Sequence, residues 1–165
     1  MTSGQRAKLV PRWTLDLLQL VTGQQARHLE TTDWSGTPVQ VTHDGGLESY
    51  ESSAGKFLYY TRIGKPGIRR MALPDGQGAA VAGLETVARR NWEGSAKGIY
   101  FVPSFKPARL EFFNFSNQHV TRIRELAAAP NSVYRGLYVN PDGRTMLYLQ
   151  RDPAKTNVMV VSNFH

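Results

Sequence analysis

Four histidines, 13 carboxylates and no cysteine are the groups with which this chain could do chemistry. The histidines are His28, His43, His119 and His165. None stands in a His-x-x-x-His spacing or beside a glutamate in the pattern of a zinc hydrolase helix. They read as loop or solvent-facing side chains. Without cysteine there is neither a disulfide framework nor a thiolate zinc site. Asp44-Gly45-Gly46, Asp75-Gly76 and Asp142-Gly143 lack the alternating ligands of a calcium loop. Turn formation accounts for them: Gly accepts positive φ, and Asp before it suits a tight turn. No serine sits in a Gly-x-Ser-x-Gly elbow. "GKPG" (64–67) and "GQG" (76–78) lack the Gly-Lys-Ser/Thr ending of a phosphate loop. No catalytic residue, metal site or cofactor is predicted.

Two short stretches could recognise a partner. Arg89-Arg90 and Trp92 would place two cations beside a large aromatic, at a channel mouth or packed between sheets. "FVPSFKPARLEFF" (101–113) could present Phe105 and Lys106 on a loop held stiff by Pro103 and Pro107. The net charge is +7, with arginines paired at 69–70, 89–90 and 122/124. A nucleic-acid surface needs such charges on one face with stacking groups nearby, and scattered charge supports only non-specific attraction. Direct nucleic-acid binding is therefore not expected. No run approaches the roughly 20 apolar residues of a membrane helix. The best stretch, Leu15 to Val21, is broken by Asp16 and Gln19. No signal peptide is legible, so a cytoplasmic location is expected for the chain as written, with a periplasmic one possible for a parent protein.

The elements that must position these residues repeat. Phe57-Leu58-Tyr59-Tyr60, Gly98-Ile99-Tyr100-Phe101 and Thr145-Met146-Leu147-Tyr148 are versions of one phrase, ending at 60, 101 and 148, in steps of 41 and 47 residues. Turn signals precede two of them, at Gly55 and at Asp142-Gly143, and Asp75-Gly76 closes a later run. Each phrase is followed by a second β-rich run: 66–76, 108–118 and 156–164. A third run follows at Ala79 to Val81 and at Val120 to Ile123, with a similar one earlier at Val39 to Thr42. Four short strands in each ~40–45 residues is the pattern of a β-propeller blade. Such a sheet has two apolar faces and must stack on neighbours. A generic β-sandwich also has closely spaced strands, but it does not require the same turn-plus-aromatic phrase to recur.

"NPDGRTMLYLQRD" and "ESSAGKFLYYT" resemble the "SPDGK-hydrophobic-Y" phrase of the TolB-type, WD-repeat-like propeller family, and "TPVQVTHDGG" (37–46) resembles its closing strand and turn. The resemblance runs from Thr37 to His165. It departs from the family at Ser53-Ala54 and Asn140-Pro141, where Ser-Pro is usual, and at Ser95-Ala96, which lacks the Asp-Gly turn. It implies an all-β fold of about three four-stranded antiparallel blades, near 37–82, 83–123 and 124–165. "TNVMVVSNFH" resembles the last blade of propellers that end bacterial multidomain regulators, after a winged-helix domain of the CadC type or a Ser/Thr kinase domain.

Residues 1–36 form an atypical segment. An amphipathic helix from Thr14 to about Glu30 is predicted from Leu15, Leu18, Val21 and Leu29, with Gly23 weakening its middle. A blade belongs there by spacing. Advancing one nucleotide lets Val10 to Gln19 be recoded as SPDGRWIYFS, and His28 to Trp34 as IWKLPTG, both blade phrases in the right order. The segment up to about residue 34 is therefore expected to be translated out of frame or to follow a misplaced gene start; the encoding DNA would decide.

The function expected is that of a non-catalytic propeller module for protein or ligand interaction or sensing. Its partners would be the remaining blades of a longer parent, or a protein or small ligand bound by the loops at one end. The alternative is the accessory propeller of a prolyl-peptidase-like hydrolase. The chain stops at "SNFH", close behind its last apparent strand, which favours the first reading. A lactonase acting through a channel metal would need inward acidic ligands, and many of the 13 acids sit in turns.

Overall fold

A computed structural model describes residues 18–22, 25–30, 39–43, 45–73, 76–130, 135–140, 143–151 and 156–162. Its regular elements are all strands. β1 (Leu18–Thr22), β2 (Gln25–Glu30) and β3 (Val39–Gln40) form an antiparallel sheet. β4 (Ser49–Glu51), β5 (Phe57–Arg62), β6 (Lys65–Ala72) and β7 (Ala79–Ala80) form the second. β8 (Trp92–Gly94), β9 (Gly98–Phe101), β10 (Arg109–Asn114) and β11 (Val120–Glu125) form the third. β12 (Leu137–Val139), β13 (Thr145–Arg151) and β14 (Thr156–Ser162) form the fourth. Within each sheet the strands pair in sequence order, which short hairpins allow. Among the described residues no helix is long and apolar enough to cross a membrane.

The helix predicted over 14–30 is replaced by strand where that range is described, at residues 18–22 and 25–30; the remainder lies outside the described residues. β1 and β2 pair there, with Thr22 opposite Gln25. The competing signals were β-branched Val21 and Thr22, followed by Gly23, all poor helix formers. Apolar spacing alone misled the sequence reading. The other expected runs are strands, and the three aromatic phrases lie in β5, β9 and β13, the second strand of three separate sheets.

Side chains alternate across a strand, so the four places of the phrase divide between two interfaces. The second and fourth face the preceding sheet. Leu58 and Tyr60 are buried with Val41 and Met71. Ile99 and Phe101 are buried with Tyr59, Ile68, Trp92 and Phe113, between the second and third sheets. Met146 and Tyr148 are buried with Val102, Leu110 and Leu137, between the third and fourth. The third place faces the following sheet. Tyr59 stacks on Phe115 with ring centroids 4.8 Å apart. Tyr100 packs on the cluster that contains Met146, with its ring 4.6 Å from that of Phe112.

Of the predicted turn residues, Gly55 and Gly143 have φ of 67° and 70°, the left-handed region that only glycine enters without strain. Gly76 is needed for closeness instead: a Cβ there would lie 2.6 Å from the Ala72 carbonyl oxygen. Asp75 and Asp142 lie outside the described residues, as does Asp44.

Candidate functional site: the rim where the inner strands begin

β4, β8 and β12 are the first strands of their sheets, with β8 in contact with both others. Their registers fix which loops share an end. Ser49 pairs with Tyr60, and Trp92 with Phe101. The β5–β6 turn and the β9–β10 connection therefore lie at the end where β4 and β8 begin. Val102 donates to the Asn91 carbonyl at 2.9 Å and Leu47 to the Thr61 carbonyl at 2.8 Å, tying both loops to that rim.

Two carboxylates lace the sheets together there. Glu48 Oε2 accepts from the Arg90 backbone N–H at 2.8 Å and from the Trp92 indole at 3.1 Å. It also accepts from the Thr61 hydroxyl at 3.4 Å, and the Arg90 guanidinium stands 3.9 Å from its other oxygen. This joins the second sheet to the third. Glu93 Oε2 accepts from Arg135 at 2.6 Å, and Gly136 donates to the Arg90 carbonyl at 2.9 Å, which joins the third to the fourth. The Glu93 side chain is 13% exposed and that of Arg135 63%. Burial pushes the Glu93 carboxyl up to about 7, against the pull of the Arg135 charge and hydrogen bond. Arg90 holds φ at 70°, and that unusual backbone turns its N–H and carbonyl to opposite neighbours.

The cleft between these groups is lined by Glu48, Ser49, Tyr50, Arg90, Trp92, Glu93, Gly94 and Arg135, with a volume of about 10 Å³. That is room for about one water molecule and not for a substrate. Ser49 Oγ is buried here with no hydrogen-bond partner among the described residues. The first strands also approach closely: a Cβ on Gly94 of β8 would fall 2.0 Å from Cγ of Tyr50 of β4. Among the described residues no group of three or more His, Asp or Glu could hold a metal ion.

The structure brings Arg90 and Trp92 together on Glu48. Trp92 is 4% exposed and packs between sheets, so of the two readings of this residue the packing one describes its position. Arg89 is exposed beside it. Phe105 and Lys106 are exposed on the β9–β10 connection, where Lys106-Pro107 is cis and Phe105 bridges to Ala108. All five candidates thus belong to one rim, three of them on its surface. Exposed Ile63 and Lys65 on the β5–β6 turn, and Arg135 before β12, join them there. The sequence reading missed Glu48, Glu93 and Arg135. One signal was present: Glu48–Arg90 and Glu93–Arg135 are each separated by 42 residues, close to the blade step. Two larger hollows border the second sheet. One of about 470 Å³ is lined by Thr42, His43, Tyr60 and Arg69, the other of about 230 Å³ by Arg62, Lys65, Arg69 and Glu85.

No protein-family model matches the chain, and no curated protein does. Solved structures do. TolB from Acinetobacter baumannii aligns with TM-score 0.66 at 17% identity, over 89% of this chain and 37% of that one. A nidogen/laminin complex aligns with TM-score 0.58 at 14% identity, over 84% of this chain and 54% of that one. The chain thus spans between a third and about half of those neighbours. Identities this low bear on the fold alone. With four antiparallel sheets, of which the second, third and fourth stack in order, a repeated phrase that faces the same way in those three, and these two alignments, the chain has a β-propeller-like fold.

Proposed function

We propose that this chain is a non-catalytic part of a β-propeller whose inner-strand rim binds a protein or ligand. It would serve a longer bacterial signalling or transcriptional regulator. One observation carries the reading. At this rim the acids that could do chemistry, Glu48 and Glu93, are engaged in holding sheets together around a water-sized cleft. The exposed residues around them are mainly cations and apolar side chains, Lys65, Arg89, Lys106 and Arg135 with Ile63 and Phe105, with Glu85 among them beside Lys65. Interfaces are built from such apolar anchors ringed by charge. The excess of positive charge fits a partner segment that is acidic and carries an apolar side chain.

A photo-crosslinking side chain at Phe105 tests this in cells that make the parent protein. The control is the same group at Lys97, exposed on the β8–β9 turn at the opposite end. Crosslinks that form at 105, are lost in Arg89→Glu/Lys106→Glu, and do not form at 97 support the reading. Equal crosslinking at both ends would overturn it.

A further inference from the structure

Among the described residues the fourth sheet packs one face on the third sheet and has nothing over the other. Leu137, Val139, Met146, Tyr148 and Val161 are packed on the third sheet. On the opposite face Tyr138 pairs with Leu147 and Leu147 with Val160, forming one row across three strands. Tyr138 is 49% exposed, Leu147 37%, Val160 61% and Val158, next along β14, 65%. No residue of that row is charged. Among the described residues β14 pairs with β13 alone, where β6 and β10 each have a partner on both sides.

The two sheets before it show what covers such a row. Tyr50, Tyr59 and Arg70 occupy the places of Tyr138, Leu147 and Val160, and the two tyrosines face Phe115, which follows β10 of the third sheet. Tyr100 is packed on a cluster that contains Met146 and Tyr148 of the fourth. We infer that the Tyr138–Leu147–Val160 face seats a further β-sheet. That sheet would present apolar side chains at the second and fourth places of its own second strand, as Met146 and Tyr148 do. The inference rests on the propeller fold and not on the rim interaction proposed above. Three features select this occupant. The face continues an interface that the chain already forms twice. A flat apolar sheet face is complementary to another sheet, stacked about 10 Å away. The structural neighbours also extend well beyond the 37% and 54% of their length that this chain matches.

The test is a tandem extension: a copy of residues 115–165 joined after Ser162, so that the copied β11 follows β14 as it follows β10. The chain contains no cysteine, so Val160→Cys gives a single reporter. The expected result is a monomeric extension in which this thiol reacts at least about tenfold more slowly than in the unextended chain, as for a site that must open to react. Equal rates, with the copied strands protected from hydrogen exchange, would overturn the inference. So would an unextended chain that is already a dimer with its thiol protected, because the occupant would then be a second copy. If the extension does not fold, Val158→Thr/Val160→Thr in the unextended chain decides. Binding of a hydrophobic dye should fall at least about twofold with the far-ultraviolet dichroism unchanged; unchanged dye binding would contradict an open face.

Discussion

Tyr59 and Leu147 hold the third place of the same four-residue phrase, yet Tyr59 is 3% exposed and Leu147 37%. Each lies on the second strand of its sheet, opposite a tyrosine of the first strand (Tyr50 or Tyr138) and behind a glycine turn, although the third strand offers Arg70 to one and Val160 to the other. The difference is whether a following sheet lies over them. A blade's stability is thus a property of the interface on each side of it, as in repeat proteins generally. The chain contains both kinds of face, so it can be used to measure that dependence within one molecule.

The largest effect is expected where two sheets meet. Phe101, the fourth place of its phrase, is 1% exposed between the second and third sheets. Phe101→Ala should cost about 3–5 kcal/mol, read by urea denaturation. Leu147→Ala, on the open face, should cost no more than about 1 kcal/mol, the range of surface substitutions. Similar losses at the two positions would erase the comparison.

The next effect concerns the lacing at the rim. The Glu93 carboxyl holds its proton up to about pH 7 when folded, against 4.5 for an ordinary glutamate. The folded state therefore binds more protons between those values. Stability is greatest below about pH 4.5, falls as pH rises towards 7, and is level above it for this group. The fall is at most about 3 kcal/mol. Glu93→Gln should flatten it in thermal melts across that range. Arg135 is mostly exposed, so Arg135→Ala should cost less than about 1 kcal/mol through the lost ion pair.

Gly94→Ala sharpens the comparison on its steric side. The added carbon would collide with the Tyr50 ring and push β4 from β8, at about 1–3 kcal/mol. The double variant with Tyr50→Ala should recover part of that loss, because the collision is with this ring.

Much of the fold was legible because the phrase carries its own geometry. An aromatic or aliphatic run behind a glycine turn must be a strand, and its period of two then assigns each side chain to a face. The β1–β2 hairpin was not legible, because Leu15, Leu18, Val21 and Leu29 fit a helical spacing while Val21, Thr22 and Gly23 oppose one. For the rim, Arg89, Arg90, Trp92, Phe105 and Lys106 could be picked out by residue type. Nothing in their spacing showed that they share an end, since that follows from strand direction. Glu48 was harder still, for its partners Arg90 and Trp92 lie 42 and 44 residues away and two of its bonds are to a backbone amide and an indole.

The most direct measurement of the central claim compares two adjacent residues of β13. Met146→Cys and Leu147→Cys each place the only thiol in the chain, one on the face against the third sheet and one on the open face. The account predicts that, in the folded protein, the thiol of the Leu147→Cys variant reacts with a neutral thiol reagent at least about a hundredfold faster than that of the Met146→Cys variant, since Met146 is fully buried and its position must await local opening. Equal rates would contradict it, showing that the phrase does not divide its side chains between a covered and an uncovered face.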